Sequence, residues 1–218
     1  MRTLAFDGRM GAAGDMLLGA MVAAGADPDA LAPVERALDV EYTHSHDHAE
    51  GSGPQRTYPE VVGIVEGMGL PTAVEADALA VFERLGEAEA AVHGTDIAET
   101  QFHEVGADDA IADIVGTALL LADLGVERIV TTPLSTGGGT VGMSHGTYPV
   151  PTPAVVEIAE RADWALRGGP VDAELLTPTG AAILAHYAGG VDRLPSLTVE
   201  ASGYGAGSRA VAEHPNVL

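Results

Sequence analysis

A chain of 218 residues with 32 acidic and 10 basic side chains carries a formal charge of −22, and every one of the ten basic residues is arginine. Having no lysine and no cysteine, it excludes lysine Schiff bases, P-loop lysines, thiolate nucleophiles, cysteine-built zinc or iron–sulfur sites and disulfides. The acidic balance repels phosphate backbones and anionic lipid, so no nucleic-acid or membrane partner is expected and cations are the natural ligands.

The elements follow in chain order. Thr3 to Phe6 is a short apolar run ending at Asp7; Gly8, Gly11 and Gly14 follow, then a helical pattern from Asp15 to Ala24, which reads as strand, glycine loop and helix. The opening is too short and too acidic for a signal peptide. A second helix is predicted from Asp29 to Leu38 with Pro28 at its start. About residues 43–57 hold His44, His46 and His48 among acids, serines, glycines and a proline, an exposed, flexible His-containing loop. Tyr58 to Val92 is helical with a break at Gly67 to Pro71, and a further helix runs from about Ala107 to Leu124. Within it, the apolar run Ile114 to Ala122 is half of a membrane span at most, so the expected location is cytoplasmic. A strand at Arg128 to Thr132, a Gly-, Thr- and Pro-rich stretch from Leu134 to Pro153, helices opened by Thr152-Pro153 and Thr177-Pro178, and a closing strand at Leu197 to Ser202 complete the chain. The class is α/β, with helix-rich mixed layers and glycine-rich loops. One domain spanning 1–218 is expected, and a chain of this length buries roughly 70% of its unfolded surface. Acid, alanine and glycine in place of lysine is also a halophile-like balance, suited to salt in which the screening length falls to about 3 Å at 1 M.

Five stretches carry chemistry. Asp7, Arg9, Gly11, Gly14 and Asp15 put a carboxylate, a guanidinium and glycine-bared amides at a strand end, where α/β proteins place ligands; a tight turn with a dipole-complementing acid is the equal alternative. His44, His46 and His48 present imidazoles that suit nickel, zinc or copper, or a solvated loop. His103 and Glu104 precede a helix on which Asp109 and Asp113 share a face; Asp108 and Asp109 read more simply as first-turn acids, whereas Asp113 lies deeper among Ile, Ala, Val and Leu. Gly137, Gly138 and Gly139 lead to His145, and although a G-x-G-x-x-G occurs there, no helix opens on it, so the dinucleotide reading fails. Thr177, Thr179 and Gly180 offer hydroxyls and amides for an anion, or plain helix capping.

Together FDG…GDM, FHEVGADDAIADIVG, HGTYPVPTPA, ELLTPTGAA, SGYGAG and the closing HPNVL resemble the LarC family of nickel-insertion proteins across nearly the whole chain. The resemblance implies a nickel chelatase of the lyase class. Such a protein inserts Ni(II) into pyridinium-3,5-bisthiocarboxylic acid mononucleotide to make the nickel-pincer nucleotide cofactor of lactate racemase. CTP with Mg or Mn is implied as well. The implied partners are the mononucleotide, an apo-racemase or similar enzyme, and a second-domain polypeptide that binds CTP; the sequence leaves homo-oligomerisation open. For the ring proton that must leave, His103 and Glu104 are the candidate catalytic pair. His44, His46, His48, His103, Asp113 and His145 are the candidate nickel ligands. Gly8 and Gln101 stand where the family pattern has cysteine and histidine, and the stretch from Asp39 to Arg56 is shorter than in the family. With no Walker lysine, the 218 residues are expected not to turn over CTP alone. A non-catalytic nickel-delivery or storage protein and a metal-dependent phosphohydrolase are the alternatives.

Overall fold

The computed structural model describes residues 1–38, 56–102, 108–143, 146–208 and 214–218. In chain order these form β1 (Thr3–Phe6), α1 (Gly14–Ala23), α2 (Ala32–Leu38), β2 (Arg56–Thr57), α3 (Tyr58–Gly67), α4 (Thr72–His93), β3 (Gln101–Phe102), α5 (Asp108–Leu124) and β4 (Arg128–Thr131). Then come β5 (Leu134–Ser135), β6 (Thr140–Met143), β7 (Gly146–Pro149), α6 (Pro153–Glu160), β8 (Leu166–Arg167), α7 (Pro178–Tyr187) and β9 (Gly189–Gly190). The class is the mixed α/β one that the sequence predicts.

β4 is the middle of a parallel sheet of order β1-β4-β9, with Thr3 opposite Arg128, Phe6 opposite Thr131 and Val130 opposite Gly189. Parallel neighbours need a crossover, and here the crossover from β1 to β4 carries α1 through α5. Shorter pairs, β2 with β3, β5 with β8 and β6 with β7, sit apart from this sheet. α5 is the central helix, packed against α1, α2, α4 and α7. Ile111, Ile114, Val115, Ala118 and Leu120 on it are all buried, which accounts for its nearly continuous apolar sequence: a helix covered on most sides has no polar face to show. A Cβ added at Gly116 would come 3.0 Å from the Leu18 side chain, so this glycine sets how closely α1 approaches α5. α4 buries Val74, Ala78, Val81, Phe82, Leu85 and Ala88 in one stripe, and Asp77 on it meets His186 of α7 at 3.0 Å. Among the described residues no helix is long and apolar enough to cross a membrane.

Four expectations are corrected. The helix foreseen from Asp29 is a 3-10 turn over Pro28–Leu31 followed by α2; Pro33 has no N–H to donate back toward Asp29, so the α-type ladder cannot run through that point. Leu197 to Ser202 forms no strand. Leu197 and Val199 stay 45% and 69% exposed, and without a neighbouring edge the alternation has nothing to pair with. The boundary of the loop foreseen over about 43–57 moves back: Arg56 and Thr57 form β2, Arg56 faces Phe102 of β3, and its guanidinium bonds Asp108 at 2.6 Å, while residues 39–55 lie outside the described ones. Finally, α6 does open at Thr152-Pro153 with Thr152 at its N-cap, but without the capping bond that a threonine there is expected to make.

Thr57, in contrast, forms a full capping box with Glu60 at the start of α3. Thr57→Ala is expected to lower stability by about 1 kcal/mol, read as a fall of about 2–4 °C in Tm.

Candidate functional site

The carboxyl end of β1 is the natural start. Asp7 there accepts from the Arg9 backbone N–H at 3.3 Å and from Arg9 Nε at 2.8 and 2.9 Å. Partial burial works to raise the Asp7 carboxyl, but the Arg9 hydrogen bonds and the charges of Arg9 and Arg167 outweigh it and hold the group below the ordinary carboxylate range. Two residues complete this corner: Ser135, just ahead of Gly137 to Gly139 and given no role by the sequence, and Arg167, in none of the five stretches. Ser135 Oγ, buried, donates to the Arg9 carbonyl at 2.7 Å and accepts from Arg167 Nε at 3.0 Å. No local signal marks them, because they lie 126 and 158 positions from Arg9 in sequence.

The glycine loop, which leads into α1, packs directly on the residues that open α7. Ala12 donates to the Leu175 carbonyl at 3.0 Å and accepts from the Thr177 amide at 3.1 Å. Gly11 has φ +76°, and a Cβ on it would lie 2.0 Å from the Leu175 carbonyl oxygen, so only glycine turns the chain here. Gly180, in the first turn of α7, lies equally close to Ala12, where a Cβ would meet its carbonyl oxygen at 2.3 Å. The stretches carrying Gly11 and Gly14 and carrying Thr177, Thr179 and Gly180 are therefore brought together. Their amides are largely spent within the chain: Gly8 donates to Thr132 Oγ1, Arg9 to Asp7, Gly11 to the Gly8 carbonyl and Gly180 to Thr177 Oγ1.

Asp113 closes the site from α5. Gly14, the first residue of α1, packs so tightly on it that a Cβ would sit 2.3 Å from Asp113 Oδ2. Crowding removes water from the Asp113 carboxyl, and the negative charges of Asp15 and Asp109 add to that; the group is held well above the usual carboxylate range. Asp15 turns the other way, accepting from its neighbour Met16 at 2.7 Å and from the Ser208 amide at 3.0 Å. Asp108, bonded to Arg56, is a structural acid.

Gly137, Gly138 and Gly139 approach their own chain: Gly137 pairs with Glu174, and a Cβ on it would lie 1.7 Å from the Ala173 carbonyl, while Gly138 and Gly139 lie against Asp172. Phe102, buried between Tyr58 and Phe82 with ring centroids 6.3 and 6.5 Å away, anchors the chain just before His103. His44, His46, His48, His103, Glu104 and His145 lie outside the described residues. Among the described residues no three His, Asp or Glu side chains converge closely enough to hold a metal ion.

A family model described as nickel insertion protein matches residues 4–218. The chain belongs to the nickel insertion protein family. It is 44% identical to a nickel-insertion relative from Methanosarcina mazei, which covers all of this chain and of which 58% is matched. It is 41% identical to the pyridinium-3,5-bisthiocarboxylic acid mononucleotide nickel insertion protein of Nocardioides sp. and 40% identical to the one of Desulfitobacterium hafniense, again over the whole chain and over 59% and 57% of those proteins. The chain thus spans a little under three fifths of the length of these relatives. No solved structure matches it. In this member of the nickel insertion protein family Gly8 and Gln101 are accommodated simply. Gly8 lets Leu134 close in, with a Cβ there only 2.5 Å from the Leu134 side chain, and Gln101 is an exposed residue of β3.

Proposed function

We propose that this chain holds pyridinium-3,5-bisthiocarboxylic acid mononucleotide while Ni(II) is inserted into it, so acting as a nickel chelatase in making the nickel-pincer nucleotide. The observation that carries the reading is the convergence of three separate motif stretches, the glycine loop before α1, the Thr177–Gly180 turn and the Asp109–Asp113 end of α5, around one corner of the parallel sheet. The names of the Nocardioides and Desulfitobacterium relatives supply the substrate.

On this reading the substrate brings the sulfur ligands, which suits a chain without cysteine. Forming the nickel–carbon bond releases a ring proton, and a base must receive it. Asp113, a carboxylate held at high proton affinity, and His103 with Glu104, directly before α5 in the chain, are the groups assigned to that proton and to nickel. His145 is a further ligand. His44, His46 and His48 serve capture: changing all three to alanine is expected to remove one weak nickel site and slow loading, and an unchanged nickel stoichiometry by calorimetry would rule that role out. CTP, with Mg(II) or Mn(II), is assigned to a second-domain polypeptide, and lactate racemase or a similar apo-enzyme to the receiving side.

The test is a maturation assay combining the chain, the mononucleotide, Ni(II), CTP with Mg(II) or Mn(II), the second-domain polypeptide and apo-racemase. Racemase activity that appears only when the chain is present supports the proposal. Nickel binding without activation would make it a delivery or storage protein, and release of inorganic phosphate from the mononucleotide would make it a phosphohydrolase.

A further inference from the structure

Arg9, in the 3-10 turn that follows β1, and Arg167, on β8, reach one corner of the molecule, and a single buried hydroxyl sets both. Ser135 Oγ holds the Arg9 backbone at 2.7 Å and the Arg167 Nε at 3.0 Å, and Ser135 itself has no exposed surface. Arg9 turns its Nε edge to Asp7. Arg167 spends only Nε; among the described residues its two terminal nitrogens make no hydrogen bond or ion pair, and the residue is exposed. Asp7, Arg9 and Arg167 together carry one net positive charge, at the carboxyl end of a parallel strand, on a chain whose total is −22. Such a local excess of positive charge on an acidic chain is a place where an anion can approach.

An exposed aromatic ring stands close by. Tyr204 is 74% exposed, and its phenol lies within electrostatic reach of the Arg9 guanidinium. It is presented there by its flanking glycines, which lie flat on α1: a Cβ on Gly203 would be 2.0 Å from the Ala20 carbonyl oxygen, and one on Gly205 1.8 Å from that of Met16. A large side chain held in water by so closely packed a backbone has no packing role of its own.

We propose that Arg167, with Arg9, receives the phosphate monoester of a pyridinium mononucleotide, that Ser135 positions the two guanidiniums, and that Tyr204 lies against the cationic ring. The paired guanidiniums match phosphate oxygens through charge-assisted hydrogen bonds, and an electron-rich ring face attracts a pyridinium. The proposal names the phosphate end of the substrate in the function proposed above and rests on that reading for the substrate's identity.

The experiment titrates the full chain with nicotinic acid mononucleotide, its riboside without phosphate, inorganic phosphate and CTP. Arg167→Ala is expected to weaken the mononucleotide at least about tenfold and leave the riboside unchanged. Tyr204→Ala should weaken both. Ser135→Ala should weaken the mononucleotide and not the riboside, which a general loss of structure would not do. Arg161→Ala, an exposed arginine bonded to Glu157 on α6, should change nothing. Equal mononucleotide binding by the native chain and Arg167→Ala overturns the proposal, as do equal losses of mononucleotide and riboside, no binding of the mononucleotide at all, or tighter Arg167-dependent binding of CTP than of the mononucleotide. Arg167-dependent mononucleotide binding beside a failed maturation assay would leave this site standing and sink the chelatase reading; successful maturation with binding indifferent to Arg167 would do the reverse.

Discussion

Asp113→Asn is expected to yield a chain that melts higher than the native one at neutral pH and no longer supports nickel insertion. Burial, and then the charges of Asp15 and Asp109, hold the folded-state carboxyl well above its ordinary value of 3.8. Protonation is therefore tighter in the folded state than in the unfolded one. The stabilisation from this group is fully present below the unfolded value and is lost as pH rises through the folded one. Asparagine keeps the shape and never ionises. Melting curves of the two proteins should lie close together in acid and separate as pH rises, each 1 kcal/mol of difference appearing as about 2–4 °C in Tm. Insertion, if Asp113 takes the ring proton or a nickel bond, should fall by about two orders of magnitude or more. A variant less stable than the native chain at every pH would show instead that the carboxylate is a needed partner inside the fold.

Gly180→Ala is expected to destabilise the protein although alanine is the best helix former. In the first turn of α7 the exchange would, by helix propensity alone, add about 1 kcal/mol. The added carbon would stand 2.3 Å from the Ala12 carbonyl oxygen and 2.7 Å from its carbon, which is backbone that cannot swing aside. Overpacking of this kind costs about 1–3 kcal/mol and pushes the glycine loop away from α7, so mononucleotide binding should fall with stability. Gly63→Ala is the matched control: this glycine lies in α3 with nothing within 4 Å of the new carbon, and the same substitution there should stabilise by about 0.5–1 kcal/mol. Chemical denaturation of both variants checks the pair, and a Gly180→Ala chain as stable as Gly63→Ala would mean that the loop is free to yield.

Elements whose signal is local were legible. β1 ends at Phe6, just before Asp7, as its apolar run does, α4 follows its apolar stripe and terminates at Gly94 in the left-handed region, and α7 begins where Thr177 and Pro178 say it should. Where reading failed, the missing information was about neighbours. Leu197 and Val199 alternate like a strand but no edge lies beside them. Thr152 and Thr177 precede proline in the same way, yet only Thr177 Oγ1 meets an amide, that of Gly180 at 3.2 Å.

The same division runs through the site. The residue sequence by itself determined the chemistry available: no thiolate and no lysine, a carboxylate and an arginine after the first strand, and an acid at Asp113 among apolar residues where only a special environment would keep it. Those are properties of residue type and spacing, and chain order preserves them. Tertiary structure alone decided that Gly14 would press on Asp113, that Gly180 would lie on Ala12, and that Ser135 would join Arg9 to Arg167. Each of these is a contact between residues roughly 30 to 170 positions apart, with no periodicity to announce it. Proton affinity and charge focusing depend on such contacts, because both are set by which groups share a dry, crowded space and how far apart they stand.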